Sequence, residues 1–311
     1  MENNDGNINK TLQYYNEELN KYKSIALPGI QKLIEVERAP YLKQLNALND
    51  IYIFQNYLLD YQQIFFNKPI NKTITLFFAK VASDLFSIRQ CLMVGQLISA
   101  SSIGRNVFET YVDTRVVLEN DTEERSKLYE NYQYIQLWLR IVAYKKYLHE
   151  LEIDTNISEE KKIDEINYYK SLYKDVGEEE IKNNFEKVKK DYHPKYPFHW
   201  AWKIYREETK DKQNPKLDFI CKRLGIYNDY LHVYSTNSLA VHNQPFMANF
   251  MTREGSITSV PIFSEITNSI AGISASLVIK IIMLVLEYTK SVKAEDVRLF
   301  LNNLFKQSFI D

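Results

Sequence analysis

Glycine and proline are scarce in this chain, with eight of each in 311 residues. A sheet protein needs a turn residue every few positions, so short punctuated strands are excluded over most of the length and an all-α fold follows. Cysteine is scarcer still: Cys91 and Cys221 stand alone, without CxxC spacing, which excludes a disulfide scaffold or a zinc ribbon and fits a reducing cytoplasm. There is no excess of either charge. The 39 Lys and Arg against 40 Asp and Glu give a formal charge of −1. No global basic field exists to recruit nucleic acid or anionic lipid, so any RNA or nucleotide contact has to be a local patch. The opening MENNDGNINK lacks the basic and apolar regions of a secretory leader. Walker A, GxGxxG, GxSxG and HExxH signatures are missing as well, and no cofactor or metal is expected.

What is present is core-forming material, 45% hydrophobic and 14% aromatic. Residues 1–30 are Asn-rich and charged and end at Pro28-Gly29, which reads as an N-terminal arm. From 31 to 311 a single helical domain is expected, a bundle of long antiparallel helices. Leu48, Ile51, Tyr52, Leu58, Leu59, Phe65 and Phe66 recur at helical spacing, so one long helix should run to about 66 and stop at Pro69. A second helical run should extend from Thr73 to Glu119. Asp121 with Glu124 three residues on forms a capping box that opens a helix through 128–150. The stretch 152–200 reads as a charged, solvated helical hairpin insertion with Glu178–Lys182 and Glu186–Lys190 pairs, ending in the Pro-broken DYHPKYPFHW loop. Helices resume at about 201–210, 215–224 and 226–244. MTREGSITSVPIF (251–263) alternates and carries turn residues, so it is the one place for a small hairpin. Ser264 can cap the next helix, and an amphipathic helix over 294–309 closes the chain.

The run 270–288 is nearly long enough to span a bilayer, but Lys280 sits near its middle among Ser274 and Ser276. It reads as a buried core helix, and no membrane partner is expected.

Two segments carry polar groups on faces that should be buried. In 97–118, at about 100° per residue, Val94, Ile98, Val112 and Val116 fall within about 20° of Arg105, and Glu109 lies about 40° away. Asp113 sits at the edge of that stripe. In 227–243 Ser235, Ser238 and His242 share one face, and Asn243 follows at once. Charge inside an apolar stripe is expensive unless the groups meet each other or a ligand. The central helices, about 85–118 and 226–244, are therefore expected to face each other through these residues. A histidine at such a place titrates easily and serves as acid, base or ligand. A self-satisfied structural network is the competing reading. Two further arrangements rank lower: a zinc site from Asp191, His193 and His199, and a divalent metal held by Glu109, Asp113 and His242. The 23 tyrosines sit mostly at amphipathic spacing and read as bundle rim rather than base-stacking platforms.

The run GRNVFETYVDTRVVLENDTEERSKLYENY (104–132), followed far downstream by YNDYLHVYSTNSLAVHNQP, resembles an uncharacterised bacterial helical family, domain of unknown function 5677. Its Arg-x-x-x-Glu helix and Tyr-x-x-x-Ser-x-x-x-His signature match Arg105, Glu109, Tyr234 or Tyr230, Ser238 or Ser235, and His242. That resemblance implies no activity. A looser analogy is to the HEPN helical ribonucleases and nucleotide-binding proteins of bacterial defence systems, which pair an Arg with a His across a bundle. Their short Arg-to-His spacing on one helix is absent, since Arg140 to His149 and Arg223 to His232 are too far apart. The analogy implies a cytoplasmic accessory or effector protein of stress or phage-defence type that binds or cleaves RNA without metal. His242 would be general base or acid toward a ribose 2′-OH, Arg105 would stabilise the phosphorane and Glu109 would orient Arg105. It also implies a homodimer, with the apolar C-terminal helix as the isologous surface, or else a protein partner. The alternative is a non-enzymatic helical interaction or scaffold module.

Overall fold

A computed structural model gives the fold. It describes residues 34–154, 156–172, 177–195, 199–209, 214–241, 250–253, 256–259 and 265–310 together with scattered positions before 34, and between 235 and 265 it describes backbone alone. The protein is all-α, as the scarcity of turn residues requires. One two-stranded antiparallel hairpin is present, β1 (Phe250–Arg253) with β2 (Ser256–Ser259), registered Phe250 opposite Ser259 and Arg253 opposite Ser256. It falls within the stretch that alternates in sequence.

Contacts divide the chain into two compact units. The first comprises 1–68, 78–111 and 231–311; the second comprises 69–77 and 112–230.

In the first unit, Pro40 turns the chain through a 3-10 segment, Ala39–Tyr41, into α1 (Leu42–Asp60), and a break at Tyr61 sets off the single turn α2 (Gln62–Phe65). The long helix expected up to residue 66 is thus interrupted twice. The run expected from Thr73 to Glu119 is also two helices, α3 (Lys72–Met93) and α4 (Leu97–Leu118). Gly95 is the reason: at φ 72° it adopts the left-handed conformation that closes a helix. The N–H of Gln96 donates to Cys91 O at 2.8 Å, which satisfies a carbonyl the helix end would leave orphaned.

α11 (Glu265–Tyr288) is the most apolar of the described helices, and it packs against α1 and α12 (Ala294–Phe309), which also pack on each other. On length and composition alone α11 qualifies to cross a membrane. Here Ile270, Val278, Ile281, Ile282 and Val285 are buried core. Lys280 sits 5.9 Å from the centre of the Tyr111 ring, whose negative face suits an ammonium on an otherwise apolar helix. Ser264, the expected cap, lies outside the described residues. α3 is tied to α1 by the fully buried Gln55, whose Nε2 donates to Phe78 O at 2.7 Å, and by Arg89, whose Nε donates to Leu45 O at 3.2 Å. Lys80 reaches from α3 to Thr110 on α4 at 3.1 Å. Cys91 is half-buried in this unit.

In the second unit Asn71 caps α3, its Oδ1 accepting from the Thr73 N–H at 2.8 Å, and Asp121 caps α5 (Thr122–Ile153), accepting from the Glu124 N–H at 2.9 Å. The capping motif read from sequence therefore forms its first half. α6 (Glu159–Leu172) and α7 (Glu178–Val188) pack on α5, with Trp138 stacked on Phe185 at 5.7 Å and Tyr144 on Tyr169 at 5.3 Å. The charged pairs differ from the expected ones. Glu178 accepts from Lys145 and from the Tyr169 hydroxyl, and Glu186 pairs with Lys189, because contacts to α5 and the turn after α7 override spacing along one helix. Two shorter helices follow, α8 (Trp202–Tyr205) and α9 (Leu217–Arg223), and then α10 (Tyr227–Val241), whose first turn lies in this unit and whose remainder from Leu231 belongs to the first. Gly225, φ 71°, ends α9 as Gly95 ends α3. Trp138, Trp200 and Trp202, the three tryptophans of the chain, all belong to this unit, as does the buried Cys221.

A Cβ at a left-handed position is strained, so Gly95→Ala should lower stability by about 1 kcal/mol and Gly95→Asn by less. Urea unfolding followed by far-UV circular dichroism checks this, and an alanine variant as stable as the parent would remove Gly95 as the cause of the break.

Candidate functional site

Four polar residues on α4, Ser102, Arg105, Asn106 and Glu109, follow the i, i+3, i+4, i+7 spacing that places side chains on one helix face. The buried face of this part of α4 is a different one, formed by Ala100, Ser101, Val107, Phe108 and Tyr111. Arg105 therefore stands at the margin of the apolar stripe and not at its centre. Its side chain is 24% exposed and that of Glu109 43%. The expectation of a deeply buried ion pair is corrected accordingly: the stripe drawn through Val94 and Ile98 fails because Val94 precedes the helix and is exposed, and Ile98 is only half-buried.

The geometry around Arg105 is well defined. Its Nε donates to Glu109 Oε1 at 2.9 Å, and its guanidinium carbon lies 4.4 Å from the centre of the Tyr234 ring on α10. α4 and α10 thus meet at the arginine through Tyr234, one of the two tyrosines that match the family signature. Burial works against the charged guanidinium, but the hydrogen bond and charge of Glu109, helped by Tyr234, outweigh it and raise the Arg105 pKa above its ordinary value. The arginine is a permanent cation. Ser102, Arg105, Asn106 and Glu109 line an open groove of about 310 Å³. Such a groove presents the guanidinium N–H donors and two neutral polar side chains to an oxyanion such as a phosphate or a carboxylate, with the Glu109 carboxylate lining it as well.

The remaining candidates are placed as follows. Asp113 belongs to the second unit, where its Oδ1 accepts from Trp200 Nε1 at 2.8 Å. Tyr129 packs edge-on against that tryptophan at 5.3 Å and Phe77 against Tyr129 at 4.6 Å, so Asp113 anchors an aromatic cluster. Ser235 and Ser238 lie on the described backbone of α10. His242 and Asn243 lie outside the described residues. Ser102 and Asn106, which line the same groove, are absent from the residues read from the sequence, although their i, i+3, i+4, i+7 spacing carries the signal.

The loop histidines are committed locally. His193 Nδ1 accepts from the Lys195 N–H at 3.2 Å and His199 Nδ1 from the Ala201 N–H at 3.1 Å, while Asp191 pairs with Lys203 at 3.2 Å. Among the described residues no cluster of His, Cys, Asp or Glu is placed to hold a metal.

Burial pushes the His199 pKa down from 6.5 to about 4. The unfolded chain then binds the proton more readily than the folded one, so the contribution of His199 is full above pH 6.5 and is lost as the pH falls toward 4. Tryptophan fluorescence, which reports the second unit, should show unfolding stability dropping by on the order of 2 kcal/mol across that window. His199→Asn should flatten the drop; an unchanged pH profile in that variant would contradict the assignment.

A family model described as a family of unknown function, DUF5677, matches residues 71–257, well over half of the chain. No curated protein and no solved structure matches it.

Proposed function

The chain belongs to that family, and we propose that it is a cytoplasmic accessory or effector protein of stress or phage-defence type that binds RNA through Arg105. The observation that carries this reading is the oriented guanidinium, fixed by Glu109 and stacked on Tyr234, at an open groove. Glu109 accepts one of the five N–H donors, and donors remain for a phosphate that arrives in the groove. Tyr234 holds the guanidinium plane and offers an aromatic edge at the same place. With a formal charge of −1 the protein has no net basic charge, and recognition through a local phosphate contact fits its composition.

Cleavage is the finer part of the proposal. His242 removes the proton of a ribose 2′-OH, the 2′-oxygen attacks the adjacent phosphorus, and the bond to the 5′-oxygen breaks as that oxygen takes up a proton. The products are a 2′,3′-cyclic phosphate and a 5′-hydroxyl. Arg105 stabilises charge on the phosphorane, and Glu109 holds Arg105 in place. A homodimer accompanies this reading, supported by apolar side chains left exposed on neighbouring helices: Ile53 and Tyr57 on α1, and Leu299 and Phe300 on α12. Phe300 packs on Phe54 at 4.8 Å, so the two rows adjoin.

A second reading is favoured by the same ion pair. Arg105 has partners within its own unit, which is what a purely structural network in an interaction or scaffold module needs.

The two readings separate in one set of measurements. A pair as exposed as Arg105 and Glu109 contributes under about 1 kcal/mol, so Arg105→Ala should leave the melting transition nearly unmoved. If the site acts on RNA, the same variant should weaken RNA binding about tenfold or more, by the loss of a charge-assisted contact. His242→Ala should abolish cleavage while binding persists. An Arg105→Ala protein that loses several kcal/mol of stability, or binds RNA like the parent, would establish the structural reading instead.

A further inference from the structure

The second unit carries a groove of its own, where α5 adjoins the end of α6. It has a volume of about 600 Å³ and is lined by Leu137, Arg140, Ala143, Tyr144 and Tyr147 of α5 and by Leu172, the last residue of α6. A volume of this size matches ordinary small-molecule sites. Leu137, Arg140, Tyr144 and Tyr147 follow i, i+3, i+7, i+10 spacing, so they stand on one face of α5. None of the residues around Arg105 takes part.

Most of the wall is hydrocarbon or aromatic, and it is open to water. Tyr147 is 40% exposed and Leu172 48%, while Leu137 and Tyr144 are half-buried, so an apolar body seated here would take all four further out of water. Tyr144 is fixed by its neighbours: its hydroxyl donates to Glu165 at 2.8 Å, its ring stacks on Tyr169 at 5.3 Å, and Tyr147 meets it edge-on at 5.6 Å.

Among the described lining residues Arg140 is the single charged group. On the same helix Lys145 pairs with Glu178 and Lys146 with Glu150. Arg140 has no such answer. Its neighbours three and four positions away are Gln136, Leu137, Ala143 and Tyr144, none of them acidic, and among the described residues it has no ion-pair partner. Glu165 takes the Tyr144 hydroxyl and lies outside the lining. An unpaired guanidinium at one end of an apolar strip calls for one negative charge on a hydrocarbon body. From Arg140 to Tyr147 the strip runs about 10 Å along the helix, the reach of a medium-length alkyl chain.

We propose that this groove binds a medium-chain carboxylic acid, with its carboxylate on the Arg140 guanidinium and its alkyl chain along Ala143, Tyr144, Tyr147 and Leu172. The charge complementarity selects the acid over an uncharged or cationic chain of the same length. The site is separate from the Arg105 groove and stands whether or not that groove binds RNA.

The probe is a dansyl-labelled undecanoate, whose emission brightens on leaving water, titrated into the full-length protein. Its competitors are decanoate and decanol, which share a chain and differ in the head group, both kept below their micellar range. The probe should saturate near one per chain. Decanoate should displace it at least about tenfold better than decanol, because only the carboxylate makes a charge-assisted pair with the guanidinium. Arg140→Met should bring decanoate down to the level of decanol and leave the melting temperature unmoved, since no ion pair is lost. Ala143→Trp, an indole placed in the groove from an exposed helix position, should exclude the probe. The proposal is overturned if the probe does not saturate or if decanoate and decanol compete alike. It is overturned equally if the preference for decanoate survives in Arg140→Met, which would put the binding elsewhere. The wild-type competition needs no variant, so a misfolded mutant cannot mask the result.

Discussion

Desolvation of polar side chains on long helix faces governs how this chain folds. With few glycines and prolines, its helices run for many turns, and each has to bury one face even where polar groups fall on or beside it. Many of these groups find a partner close by. Gln55 donates to a carbonyl of α3, Lys280 lies over Tyr111, Asp113 accepts from Trp200, and Lys80 bonds Thr110. Arg105 follows a related solution: it sits at the edge of the buried face, with Glu109 on one side and Tyr234 on the other. The rule has exceptions: Gln44 Oε1, Gln55 Oε1, Ser126 Oγ, Trp202 Nε1, Tyr205 Oη and Asn268 Oδ1 are buried without a hydrogen bond.

Much of the fold is legible from residue spacing because helices advertise their buried faces by period. The closing helix over 294–309, the Asp121 cap and the hairpin within 251–263 are all recoverable from local pattern. The division of α3 from α4 was not recovered, since a single glycine inside an apolar periodic run looks like a tolerated helix residue unless its φ is known. The same limit affected the charged hairpin. Glu178 has a lysine at the favourable spacing on its own helix, yet Lys145 and Tyr169 capture it, and long-range partners leave no trace in i,i+4 arithmetic.

At the site, chemistry was more legible than burial. Arg105, Glu109 and Tyr234 are brought together, and the polar i, i+3, i+4, i+7 face extends them to Ser102 and Asn106. The depth of Arg105 was misjudged because a helical wheel ranks faces only relative to one another. Phe108, Tyr111 and Val107 draw the buried face round toward themselves and leave the arginine at its flank. Asp113, two turns along the same helix, was grouped with the arginine by period alone, and an indole N–H claimed it.

The two thiols differ in a way that bears on how self-association is measured. Burial lifts the Cys221 thiol to about 12 and seals it, while Cys91 is only half-buried on α3 and its pKa is raised less strongly. Any oxidative crosslink between copies would have to run through Cys91. A dimer band that vanishes under reductant would therefore report air oxidation at one helix end, and only an assembly that survives a reducing buffer speaks to the apolar rows of α1 and α12.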